Sequence, residues 1–79
     1  MALYKYGQYL GQNNDAVFDG EHTPGTAAPR SGIYRCTGCG REEASNQGQP
    51  LPPQNHHQHN STQGAIRWKL IVYADHKTK

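Results

Sequence analysis

The sequence has no long apolar run, no third cysteine and no block of like charge. Each absence removes a class of function. A membrane-spanning helix needs about 20 consecutive apolar residues, and no such window exists. The N-terminal run Met1-Ala2-Leu3-Tyr4-Lys5-Tyr6-Gly7 lacks the charged and apolar regions of a signal peptide, so a cytoplasmic location without membrane association is expected. Basic residues are scattered as Lys5, Arg30, Arg35, Arg41, Arg67, Lys69, Lys77 and Lys79, and the net charge is only +2. Nucleic-acid readers usually show a clustered basic face instead. There is no Ser-His-Asp pattern, P-loop or dinucleotide fingerprint, and the expectation is a protein that is not an enzyme.

Apolar residues are also scarce. They make up 33% of a 79-residue chain whose mean hydropathy is −0.99. Ordering the backbone costs roughly 1–2 kcal/mol per residue, which a core this poor offsets badly. Small scaffolds in that position are usually stapled by a disulfide, a metal or a partner chain. Cysteines 36 and 39 are therefore the first place to look. In a reducing compartment a closely spaced pair reads as metal-binding or redox-active rather than as a disulfide.

Sustained helical periodicity and internal repeats are missing too, and what remains is short strand patterning. Leu3–Leu10, with Tyr4, Tyr6 and Tyr9, reads as a short strand. A polar, turn-rich stretch follows, with Ala16-Val17-Phe18 as a lone apolar patch that should pack onto the main body. Pro24 and Pro29 frame an extended approach to the strand Ile33-Tyr34-Arg35-Cys36. Thr37-Gly38 is the expected turn, with the return strand starting at Cys39 and running to Ala44. Pro50-Leu51-Pro52-Pro53 is rigid and extended. Ala65–Tyr73 is the clearest strand: Ile66, Trp68 and Leu70 share one face at period two, with Val72 continuing it. The expected fold is a small all-β domain spanning 1–79: an antiparallel sheet with a zinc-ribbon-like knuckle and little or no helix. It divides into a tyrosine-rich segment (1–21) packed alongside, a core (22–73) and a flexible tail (74–79).

Cys36-Thr37-Gly38-Cys39-Gly40 carries the chemistry. Two thiolates at C-x-x-C spacing can reach one tetrahedral cation, and a glycine after the second cysteine tolerates the positive φ such a turn needs. The rest of the site must come from elsewhere, and the candidates are His56, His57 and His59. Between Cys39 and His56 lie 16 residues, a usual gap between ligand pairs in ribbon-like zinc sites. His56 and His59 repeat the cysteine spacing, giving a Cys36, Cys39, His56, His59 zinc site; His57 is the alternative ligand. A metal-free half-site and a redox C-x-x-C are the competing readings. The redox form normally opens a helix in a βαβ unit, a pattern absent here. His22 and His76 read as surface residues, Trp68 as the main core residue, and Glu42 and Glu43 as strand neighbours on opposite faces. A second functional reading is a single-stranded nucleic-acid binder using Trp68, the tyrosines, Arg35, Arg41 and Arg67.

The run from Pro24 to Gly40 has the pattern PG-x-x-AP-x-SG-x-Y-x-C-x-x-CG. With Gly48–Pro53 and the W-x-L strand Ile66–Val72, it resembles small bacterial zinc-ribbon-like and rubredoxin-like proteins of the type labelled "protein L". The resemblance covers roughly residues 22–73. It implies a compact β-fold with a zinc site and says little about activity. Many zinc-ribbon proteins carry a second C-x-x-C directly after the Pro-Pro pair, where this chain has Gln54 and His57. That alignment supplies His57, with His56 or His59 recruited to complete the site. The expectation is a monomeric, non-catalytic binding or adaptor module with a structural zinc.

Overall fold

The computed structural model describes residues 1–53 and 64–74. Among the described residues four strands form one sheet: β1 (Glu21–His22), β2 (Gly32–Cys36), β3 (Glu42–Ser45) and β4 (Trp68–Tyr73), in the order β1-β4-β2-β3. All three pairings are antiparallel. The hairpin through the cysteine turn and its pairing with the last strand are as the sequence predicts. Only two single 3₁₀ turns, Gly7–Tyr9 and Ala16–Phe18, interrupt the β character among the described residues.

Paired residues of an antiparallel ladder share a face. Tyr34 opposite Leu70 and Cys36 opposite Trp68 therefore put four side chains on one side of the sheet. These four are buried with Ala28, Leu51 and Ile66, and Val17 and Phe18 pack against them. Trp68, Tyr34 and Cys36 are all 0% exposed. The apolar patch at Ala16–Phe18 thus packs onto the body as expected. Asp15 caps its 3₁₀ turn by accepting the Val17 N–H at 3.0 Å.

The buried Tyr34 hydroxyl is satisfied locally. It donates to the Arg30 carbonyl at 2.6 Å and accepts the Arg30 N–H at 3.2 Å. Burial pushes the phenol above its ordinary pKa of 10.0, against smaller opposing effects of the Arg30 backbone bond and the Arg30 charge.

The proline-framed segments pair with each other. Ala27 bridges Pro50; Ala28 N–H donates to the Gln49 carbonyl and Leu51 N–H to the Thr26 carbonyl, each at 2.8 Å. Ala27 and Pro50 form a pair that exchanges no hydrogen bond with each other, so the missing Pro50 donor costs the ladder nothing. This pairing presents Ala28 and Leu51 to the core.

Four expectations need correction. Leu3–Leu10 is no strand: Leu10 N–H closes onto the Gly7 carbonyl at 3.0 Å, and Leu3, Tyr4, Tyr6 and Tyr9 stand exposed instead of packing alongside the sheet. The segment has the composition of a strand, but no sheet edge among the described residues pairs with it. The cysteine turn is longer than Thr37-Gly38, and its return strand begins at Glu42 rather than Cys39. Before Trp68 the last segment is not in the ladder, although Ile66 is buried.

Fourth, Val72 does not continue the Ile66-Trp68-Leu70 face. Ile33 pairs with Val72 while Tyr34 pairs with Leu70, so β4 takes two steps against one on β2. That bulge moves Val72 to the face of Ile33 and Arg35, away from the core. Beside it, Gly32 lies so close to β4 that an added Cβ would fall 1.9 Å from the Val72 carbonyl oxygen.

Candidate metal centre

Cys36 ends β2 on the core face, and the chain then turns back through Thr37–Arg41 before β3. Two backbone bonds close this turn. Gly40 N–H donates to the Cys36 carbonyl at 2.8 Å, and Cys36 N–H donates to the Arg41 carbonyl at 2.7 Å. Gly40 has φ of +82°, the positive value expected of the glycine after the second cysteine. Both cysteines are thiols; Cys36 is buried and Cys39 exposed. The result is a C-x-x-C turn closed by backbone hydrogen bonds, with glycine in the left-handed region.

The histidines expected to complete a metal site are not among the described residues. His56, His57 and His59 lie outside them, as do Gln54 and His76. Among the described residues, no group of three or more His, Cys, Asp or Glu side chains is arranged to hold a metal.

A side-chain clamp braces the turn. Arg35 points to the face opposite Cys36, and its Nη1 donates to Glu42 Oε2 at 2.9 Å. The Glu42 side chain is only 12% exposed. The same guanidinium lies against Gly40, where an added Cβ would meet Arg35 Nη2 at 2.9 Å and Cζ at 3.4 Å. On the other flank, Thr37 N–H donates to the Arg67 carbonyl at 3.0 Å, and the Thr37 hydroxyl reaches Glu21 Oε1 at 3.4 Å. The turn is thus held by β3 on one side and by β1 and the entry to β4 on the other.

His22 is not the plain surface residue expected. It lies in β1 opposite Trp68, half-buried and edge-on to Tyr34, with ring centroids 6.3 Å apart. Its Nε2 is buried without a hydrogen-bond partner among the described residues. A two-residue strand between Gly20 and Pro24 leaves no alternation to detect, so the sequence gives no signal for it.

The residues proposed for nucleic-acid stacking separate. Trp68 is enclosed in the core and offers no platform, which corrects that part of the expectation. Arg35 is committed to Glu42, and Arg67 donates to the Ile66 carbonyl. Arg41 is exposed. Glu42 pairs with Arg35 and Glu43 with Tyr34 across the β2–β3 ladder, placing the two carboxylates on opposite faces as expected. No helix among the described residues is long and apolar enough to cross a membrane.

The chain is similar to "Protein L" from Escherichia coli, with 61% identity over 56 residues. The match covers 71% of this chain and spans 63% of that protein's length. This likeness agrees with the part of the resemblance that points to bacterial proteins of that label; it carries no zinc-ribbon character with it. No family model matches the chain, and no solved structure matches it.

Proposed function

We propose that this chain is a small, non-catalytic binding module whose fold is tied together by one structural zinc ion. The observation that carries the reading is the closed Cys36–Arg41 turn, with Gly40 at positive φ and its N–H on the Cys36 carbonyl. Cys36 and Cys39 would supply two ligands, and His56 with His59 the others, His57 being the alternative. A zinc ion with four protein ligands is coordinatively closed, so it would supply folding energy and no open position for a substrate. The need for such a staple follows from the core. Seven buried hydrophobic residues serve the described part of a chain of this size.

Native mass spectrometry of freshly purified protein tests this, together with a chelator titration. The expected result is one zinc per monomer, lost on chelation. Trp68 lies opposite Cys36, so its fluorescence should red-shift as the metal leaves. A metal-free mass with emission unmoved by EDTA would sink the proposal. Binding of single-stranded DNA or RNA is the rival reading, and without Trp68 it would fall to the exposed Tyr4, Tyr6 and Tyr9. A salt-dependent gel shift abolished by substituting those three would favour it.

A further inference from the structure

We infer that Arg35 is a positioning residue for the two-cysteine turn, holding Cys39 in place relative to Cys36. The inference rests on the zinc reading above and assigns a role to side chains that are not ligands. Three observations carry it.

The guanidinium covers the residue immediately after Cys39. Nη2, Cζ and Nε of Arg35 would lie 2.9, 3.4 and 3.8 Å from a Cβ on Gly40, so the planar group lies along the glycine with no space between them. The group is also anchored from the far side, because Glu42 Oε2 accepts from Nη1 at 2.9 Å. Glu42 is the first residue of β3 and is paired with Arg35 across the ladder. The clamp therefore spans the turn from its last strand residue before Cys36 to the first residue of the return strand.

The third observation is the face on which the clamp works. Arg35 and Cys36 are neighbours in β2 and project to opposite sides of the sheet. Arg35 thus braces the turn from behind and leaves the cysteine side of the sheet to Cys36, Tyr34 and the core. A planar fork held by a carboxylate suits this task. A lysine in its place would have one compact charge and could not lie flat on Gly40 while holding Glu42. Partners that orient metal ligands without binding the metal typically change its affinity by about 10–100-fold when removed.

The test is cobalt(II) titration of the full chain, followed by the thiolate-to-cobalt charge-transfer band, with zinc competition to rank affinities. Wild type, Arg35→Ala, Arg35→Lys and Glu42→Gln are compared, and far-UV circular dichroism of each metal-free protein is recorded alongside. The inference expects cobalt affinity to fall at least about 10-fold in Arg35→Ala, with little recovery in Arg35→Lys. Glu42→Gln, which keeps the side-chain shape, should show a smaller loss in the same direction, and the metal-free spectra should match wild type. If Arg35→Ala fails to fold, the Arg35→Lys and Glu42→Gln affinities decide. Affinities equal to wild type in the folded variants would overturn the inference. A wild type that binds no cobalt overturns the zinc reading itself, a separate outcome visible before any variant is made.

Discussion

Two parts of this molecule have similar raw material and opposite fates. Leu3–Leu10 contributes three tyrosines and two leucines; β2 and β4 with Ile66 contribute Tyr34, Ile66, Trp68 and Leu70. The second set is buried almost completely, while the first leaves Leu3 88% and Tyr9 79% exposed. Apolar content does not separate them. What separates them is a ladder partner: β4 lies between β1 and β2, and β2 between β4 and β3, whereas the first ten residues close a single 3₁₀ turn. Burial here follows from strand pairing, since a strand buries one face only when neighbours hold it flat against something else.

The largest effect expected from this contrast is at Trp68. Trp68→Ala removes the biggest fully buried side chain and should destabilise by about 3–5 kcal/mol, enough to unfold a small domain. Urea titration followed by circular dichroism checks it. A variant that keeps a cooperative transition near the wild-type midpoint would show that the buried cluster is not what holds the sheet.

Gly32→Ala comes next. A methyl group 1.9 Å from the Val72 carbonyl oxygen cannot be accommodated by a side-chain rotation, because the obstacle is backbone. The strands would have to separate at the bulge. The expected cost is about 2–4 kcal/mol, in the range of severe overpacking and ladder disruption. Gly11→Ala, at a site with nothing within 4 Å of the added carbon, is the matched control and should change stability by less than about 0.5 kcal/mol.

These two positions also show what could and could not be read from the sequence. Period-two alternation locates Ile66, Trp68 and Leu70 correctly, because their shared face is a local property of an extended chain. It fails at Val72. The bulge is set by which residue of β2 each β4 residue meets, a relation between strands about forty residues apart. The cysteine turn is legible in kind, since only a residue tolerant of positive φ suits position 40, but not in length. The Arg35–Gly40–Glu42 clamp and the burial of His22 are equally unreadable. Both depend on side chains brought together by the ladder, and β1 is too short to show a period. The N-terminal tyrosines mislead for the complementary reason: composition predicts a strand, but nothing in composition says whether an edge awaits it.

A smaller effect is expected at the Tyr34 hydroxyl. Tyr34→Phe leaves the Arg30 carbonyl and N–H without their partner and should cost about 1–2 kcal/mol near neutral pH. The pH dependence has a definite sign. Burial raises the folded-state pKa above 10.0, so the unfolded chain releases this proton first as pH rises. The stability contributed by the neutral phenol is full below pH 10 and is lost as pH climbs through that value toward the folded pKa. Thermal midpoints between pH 8 and 11.5 should therefore fall more steeply in wild type than in Tyr34→Phe. Parallel slopes would mean that the phenol is not kept neutral by its burial.

The smallest effect is expected where the sequence suggests a strand and the structure shows none. Tyr6 and Tyr9 touch each other edge to face, with centroids 5.9 Å apart, and the Lys5 ammonium lies 5.2 Å from the Tyr6 ring centre. Exposed contacts of this kind contribute little, because each partner is nearly as well solvated apart as together. Replacing both tyrosines with serine should shift stability by no more than about 0.5 kcal/mol in the isolated protein. A loss several times larger would mean that the segment is paired in solution, and the contrast between the two regions would then collapse. If stability holds while association with a partner is lost, the contrast sharpens. The same side chains that contribute nothing to the fold would then be the surface that makes contact, as rigid exposed tyrosines do at many interfaces.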